Sequence, residues 1–176
     1  MRNFVALLVL IASIAVGHAA VLFLAPGVIM GKAMSAMEDR GMPTHGFRLV
    51  ERMTPETQTV VRPSPDLAYS ICLFDFGAGN GQPLGVQAAA WSDYASVSFF
   101  DAQTNNFATL RDTGDGIEAV LLPPGASAPP ESLVSPSDKG VILIRRLAPT
   151  QAAYREVAEI AVEDSCGTMT KAGESK

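Results

Sequence analysis

A run of short polar side chains is the first place where this sequence could do chemistry. Asp93, Tyr94, Asp101, Gln103, Thr104, Asn105, Asn106 and Arg111 follow one another within one stretch of chain. Two carboxylates brought together serve as general acid and base, or as oxygen ligands for a hard cation. Asp75 is a further carboxylate that such a cleft could recruit. The competing reading is architectural, because Asp101 to Asn106 has the composition of a turn whose Asx side chains fold onto their own backbone. Under either reading the ligand-binding candidates are Asp93, Tyr94, Asp101, Asn105, Asn106 and Arg111, with no catalytic residue and no metal ligand assigned. Trp91, beside Ser92 and Asp93, reads as a packing residue at a sheet rim.

Other reactive groups are scarce. The chain has two cysteines and two histidines. That excludes a four-thiolate zinc site and leaves little for a histidine relay. Cys72 sits in an apolar run, and Cys166 at the expected end of a helix. An exported domain would join them in a disulfide, whereas two buried free thiols are the alternative. A catalytic thiol needs a nearby base, and His45 is the one histidine outside the amino-terminal segment. Gly77-Ala78-Gly79-Asn80-Gly81 invites a phosphate-cradling reading. Its spacing is G-x-G-x-G, and Pro83 with a strand follows instead of a helix whose amino terminus could hold a phosphate. Asn80-Gly81 reads instead as a hairpin turn.

The 176 residues suit one domain, and 48% hydrophobic residues exclude a disordered chain. A formal charge of −5 argues against nucleic acid, whose binding needs a basic surface. No cofactor is expected.

Hydropathy is concentrated at one end. From Phe4 to Met30 there are 27 residues without a formal charge, and only Ser13 and His18 are polar. A helix needs about 20 apolar residues to cross a bilayer core. Residues 1–38 are therefore expected to be a transmembrane signal anchor, with residues 4–30 in the inner membrane. A cleaved signal peptide ending near Gly17-His18-Ala19 is the alternative, but apolar chain continues beyond that point through Leu24. Export of the domain suits the short amino-terminal tail, although Lys32, Arg40 and Arg48 outnumber Arg2 and count against it. Pro26-Gly27 would kink the helix, and Lys32 to Arg40 could prolong it. His18 reads as a neutral imidazole satisfied by a neighbouring helix or by water, and hints at a membrane partner.

Residues 39–168 are expected to form the exported domain, and 169–176 a polar tail. From residue 39 onward there are 17 acidic and 11 basic side chains, a net of −6. Alternating apolar runs separated by turn residues place strands at Phe47–Met53, Thr57–Val61, Leu67–Phe76, Leu84–Ala90, Tyr94–Phe100, Phe107–Leu110, Ile117–Leu122 and Gly140–Leu147. Pro123 to Pro130 cannot hold a ladder and reads as a surface loop. Thr150 caps one helix with Ala153, Val157, Ile160 and Ala161 on its apolar face, and Gly167 stands where it should stop. The expected fold is mainly β: an antiparallel β-sandwich with one carboxyl-terminal helix, preceded by a single transmembrane helix.

Three landmarks stand in order: Ala68-Tyr69-Ser70-Ile71-Cys72-Leu73-Phe74-Asp75, Tyr94-Ala95-Ser96-Val97-Ser98-Phe99-Phe100-Asp101, and Asn105-Asn106-Phe107. With the anchor and the late Cys166, they resemble the short membrane-anchored bacterial proteins of domain of unknown function 1254, over residues 1 to 168. The family often carries an aromatic pair where this chain has Asp93-Tyr94, so only the tyrosine matches. The resemblance implies a β-rich domain in the periplasm, tethered to the inner membrane of a Gram-negative bacterium. Larger members add domain of unknown function 1214 in the same chain. A separately encoded protein with that domain is the expected partner, and no catalytic residue can be carried over.

Two functions remain open at this level. One is a noncatalytic envelope protein whose sandwich binds a protein partner or small ligand. The other is a carboxylate- or cation-dependent enzyme built on Asp75, Asp93, Asp101 and Arg111, which requires those carboxylates to converge.

Overall fold

Side chains that are apolar all round leave the backbone no competitor for its own hydrogen bonds, and from Arg2 to Asp39 the chain forms one helix, α1. The computed structural model describes residues 2–54, 63–127 and 129–169. The expected strand at Thr57–Val61 and the tail from residue 170 lie outside them. The apolar window of α1 is 0% buried, and the helix is long and apolar enough to cross a membrane. Pro26 is carried inside it, and His18 is exposed. The final turns differ. Met30 and Met34, one helical turn apart, are buried against Leu73 and Val141, with Met37, Met42, Ile71 and Phe100 around them.

The domain is built from β1 (Arg48–Leu49), β2 (Leu67–Asp75), β3 (Leu84–Ala88), β4 (Ala95–Phe100), β5 (Asn106–Arg111), β6 (Ile117–Leu122), β7 (Ser132–Val134), β8 (Lys139–Leu147) and β9 (Ser165–Thr168). A first sheet has the order β1-β2-β8-β4-β5 and a second the order β7-β6-β3-β9. Their facing side chains share one core, with Cys72, Phe74, Val97, Phe99, Ile142 and Ile144 from the first meeting Leu84, Val86, Ile117, Leu121 and Cys166 from the second. The apolar run Val141 to Ile144 lies in β8, which is central in the first sheet. Gly140 permits the closest approach there. A Cβ at that position would stand 2.1 Å from the carbonyl oxygen of Phe100 and 2.8 Å from the Phe74 ring.

Several expectations need correction. The second sheet is mixed, because β6 and β7 pair in parallel. The proline-rich loop after β6 returns along the sheet before β7 begins, and Ser132–Val134 was not foreseen as a strand. Asn80 and Gly81 do adopt positive φ, 54° and 69°, yet their turn joins β2 to β3 in the other sheet and forms no hairpin. Both flanks of β2 are already occupied by β1 and β8, so the chain must cross. The strand expected over Phe47–Met53 is two residues long.

At the carboxyl end, α2 (Gln151–Ile160) starts as expected, with Thr150 Oγ1 accepting from the Ala153 N–H at 3.1 Å. It runs into a 3-10 turn at Ala161–Glu163. Gly167 is not a helix stop, and Cys166 does not end the helix. Both lie in β9, beside β3.

Candidate functional site

Residues alternate between the two faces of a strand, so every core residue of β4 and β8 implies an outward neighbour. On the outward face of the first sheet the register sets three rows. Leu73, Val141, Phe100 and Asn106 form the row nearest α1. Ile71, Leu143, Ser98 and Thr109 form the next, and Tyr69, Arg145, Ser96 and Arg111 the last. The face thus passes from an apolar end covered by the methionines of α1 to an end of arginines, tyrosine and hydroxyls.

Hydrogen bonds tie the polar end together. Arg145 Nη2 donates to Ser98 Oγ at 2.6 Å, and Ser98 Oγ lies 3.0 Å from Thr109 Oγ1. Asn106 Nδ2 donates to the same Thr109 hydroxyl at 3.0 Å. Tyr94 OH and Ser96 Oγ are 2.9 Å apart, and the Arg111 guanidinium lies over the Tyr94 ring, 5.4 Å from its centroid. Tyr94, Asn106 and Arg111, three of the six candidates, therefore belong to one surface.

The two aspartates do not join them, or each other. Asp93 precedes β4 and is exposed, its Oδ1 accepting from the Tyr94 N–H at 3.3 Å. Asp101 follows β4 and is 5% exposed. Its carboxylate accepts from the Gln103 N–H at 2.8 Å, the Asn105 N–H at 2.8 Å and Asn105 Nδ2 at 2.9 Å. Asp101 and Asn105 thus close the turn between β4 and β5. The six extended residues of β4 stand between Asp93 and Asp101 and hold them on the order of 20 Å apart. Asp75 is occupied similarly, with Oδ1 accepting from the Gly77 and Ala78 N–H groups. Its own N–H donates to His45 Nε2 at 3.2 Å. Among the described residues, no group of three or more His, Cys, Asp or Glu side chains could hold a metal ion.

The sulfurs of Cys72 and Cys166 are joined in a disulfide between the two sheets, with Cα atoms 6.5 Å apart. Sequence reasoning missed the ion pair nearby. Arg146 is 1% exposed and grips Asp164 with both terminal nitrogens, at 2.8 and 2.6 Å. The Ala89 carbonyl accepts from Arg146 Nη2, and the Ala89 N–H donates to Asp164. The dipeptide Arg145-Arg146 in an apolar strand was the available signal, because adjacent strand residues face opposite ways and one arginine must go inside. Asp112 is a further structural carboxylate. Burial pushes its pKa up, but the N–H groups of Trp91, Gly114 and Gly116 and the charge of Arg146 outweigh that and hold it below 3.8. Trp91 packs over Ala68, Ala148 and Val157, and its Nε1 donates to the Leu147 carbonyl at 3.0 Å.

On the opposite side of the molecule, an open groove of about 720 Å³ lies along the outer face of the second sheet, lined among others by Gly85, Gln87, Glu118, Ser165 and Gly167. None of the six candidate residues lines it.

The model of one family, a protein of unknown function (DUF1254), matches residues 46–166. No curated protein matches the sequence. The crystal structure of the VPA0106 protein from Vibrio parahaemolyticus is similar, with a TM-score of 0.58 at 10% identity. The likeness takes in 82% of this chain and 35% of that one, and it concerns the fold alone. An uncharacterized protein from Burkholderia cenocepacia is similar over 60% of this chain and 32% of that one, at 11% identity and a TM-score of 0.43, too low to carry an argument. This chain thus spans about a third of the length of each.

Proposed function

The chain belongs to the DUF1254 family, and from that premise we propose that it is a noncatalytic envelope protein of a Gram-negative bacterium. In this reading α1 anchors it in the inner membrane. The two sheets form a β-sandwich that stands in the periplasm and binds a protein partner or small ligand.

The observation that carries the reading is the Cys72–Cys166 bond in a chain that begins with a membrane-length apolar helix. Disulfides persist in oxidising compartments and are rare where glutathione and thioredoxin keep thiols reduced. The noncatalytic part is supported by the separation of Asp93 from Asp101 and by the engagement of Asp75 and Asp101 with turn backbone. A separately encoded protein carrying domain 1214 is the partner proposed.

The test is to express the full chain in a Gram-negative host, separate membrane from periplasm, and measure mass and free thiols. Intact mass in the membrane with no free thiol is expected. Two free thiols would reverse the orientation, and a shortened soluble protein would replace the anchor with a signal peptide.

A further inference from the structure

We propose that the polar end of the first sheet's outer face is a binding site for an oxyanion, the carboxylate or phosphate group of a small solute, held between Arg111 and Arg145. The inference deepens the binding reading above by naming the ligand's chemistry.

Arg145 and Arg111 stand in one cross-strand row with Ser96 between them. Two strand spacings separate their Cα atoms by about 10 Å. That is a span two arginine side chains can close on a single group, above the Tyr94 phenol that covers Ser96. Neither guanidinium group has an acidic partner among the described residues. Among the described residues the one ion pair within 4.0 Å is Arg146–Asp164. Arg111 is instead held over the Tyr94 ring, a contact that positions the cation without neutralising it. Arg145 spends one donor on Ser98, while its Nε is buried with no hydrogen-bond partner among the described residues.

Two guanidinium groups in one row, neither with an acidic partner among the described residues, are the arrangement that an oxyanion completes. The guanidinium fork matches carboxylate and phosphate oxygens in pairs of parallel hydrogen bonds. The hydroxyls of Ser96 and Ser98 are buried, 1% and 0% exposed, and paired with Tyr94 and Thr109, so they brace the row from beneath and the two guanidinium groups present the donors. The nearest carboxylates in sequence do not compete. Asp112 is engaged by the Trp91, Gly114 and Gly116 N–H groups, and Asp93 by the Tyr94 N–H.

Position decides the source of the anion. Gly27 of α1 lies against Gln103, whose amide nitrogen would stand 3.0 Å from a Cβ there, and Gln103 follows the far end of β4 from Ser96. The anchor therefore leaves the domain at the turn between β4 and β5. The arginine row lies at the other end of the strands, where a solute reaches it and a lipid headgroup of the anchoring bilayer does not.

The experiment uses the full chain in a nonionic detergent. Calorimetric titration and thermal unfolding are run with sodium phosphate, sodium succinate and, at matched ionic strength, sodium chloride. Phosphate, succinate or both should bind and raise the melting point above the chloride value, and which of them does so identifies the group recognised. Arg111→Gln, whose side chain is exposed and whose fold is checked by near-ultraviolet circular dichroism, should weaken binding at least tenfold. Arg145→Lys should do the same, since it keeps the charge and loses the fork. Arg155→Gln, exposed on α2, should bind as the unaltered protein does. Absence of any effect beyond chloride, or unchanged binding by folded Arg111→Gln and Arg145→Lys, overturns the proposal. Because binding is measured in solution, a cytoplasmic chain that binds phosphate would remove the anchoring reading alone, and an anchored chain that binds neither anion would remove this site alone.

Discussion

Arg146 and Asp164 face each other with both terminal guanidinium nitrogens on both carboxylate oxygens, the closer contact at 2.6 Å, and with side chains 1% and 0% exposed. One belongs to the central strand of the first sheet, and the other immediately precedes β9 of the second. Between them they also satisfy the N–H and carbonyl of Ala89, at the end of β3. The pair therefore fixes where the chain stops being helical and rejoins the second sheet. Asp164→Ala leaves a buried guanidinium without its partner, and a loss of about 3–5 kcal/mol is expected. Thermal unfolding of the full chain in detergent measures it. Arg146→Met combined with Asp164→Leu should recover part of the loss but not all, because Ala89 keeps two unpaired backbone groups.

The disulfide closes a loop with a sequence separation of 94. A loop of that size constrains the unfolded chain, and removal of the bond is expected to cost on the order of 4–5 kcal/mol. Cys72→Ala and Cys166→Ala should lower the melting point by similar amounts, and the double variant by no more than either alone. A double variant much less stable than both singles would show that packing around the sulfurs, and not the cross-link, carries the effect.

Acid should act through Asp112. Its folded pKa lies below 3.8, so it binds a proton less readily in the folded state than in the unfolded one. Its contribution is fully present above that ordinary value and is lost as pH falls from about 4 downward through the folded pKa. Melting points of the unaltered protein and of Asp112→Asn, taken from pH 7 to pH 2, should differ most above pH 4 and converge below it. A constant difference across the range would assign the effect to shape.

The aspartates on either side of β4 should behave differently. Asp101→Ala strips the turn of its acceptor for two backbone N–H groups and the Asn105 amide. About 2 kcal/mol of destabilisation is expected. Asp93→Ala, at an exposed position, should stay within about 0.5 kcal/mol. Calcium, magnesium or a chelator should leave the melting point unchanged, since a cation bound only by the folded state would have to raise it. A rise abolished by either substitution would restore the cation reading.

The element types were largely legible because their causes are local. Apolar length made α1, alternation made β2 and β4, a continuous apolar run made β8, and a threonine before a helical stripe capped α2 at Thr150. Asp101 and Asn105 could be read as a turn for the same reason, since both partners lie within four residues. The disulfide was an expectation from the compartment, whereas the approach of the two Cα atoms to 6.5 Å follows from the packing of one sheet on the other.

What tertiary structure decided depends on residues far apart in the chain. Asn80-Gly81 forms its turn, but whether the next strand pairs with β2 or crosses to the other sheet depends on β1 and β8 having filled both flanks. Gly167 ends nothing, because Asp164 is drawn to Arg146 and the segment after it is free to pair with β3. Arg145 and Arg111 become neighbours solely through the register of β8, β4 and β5. Local spacing dictates which face of a strand a side chain takes, whereas cross-strand neighbours follow from the order in which strands pack, and that order is set by the core as a whole.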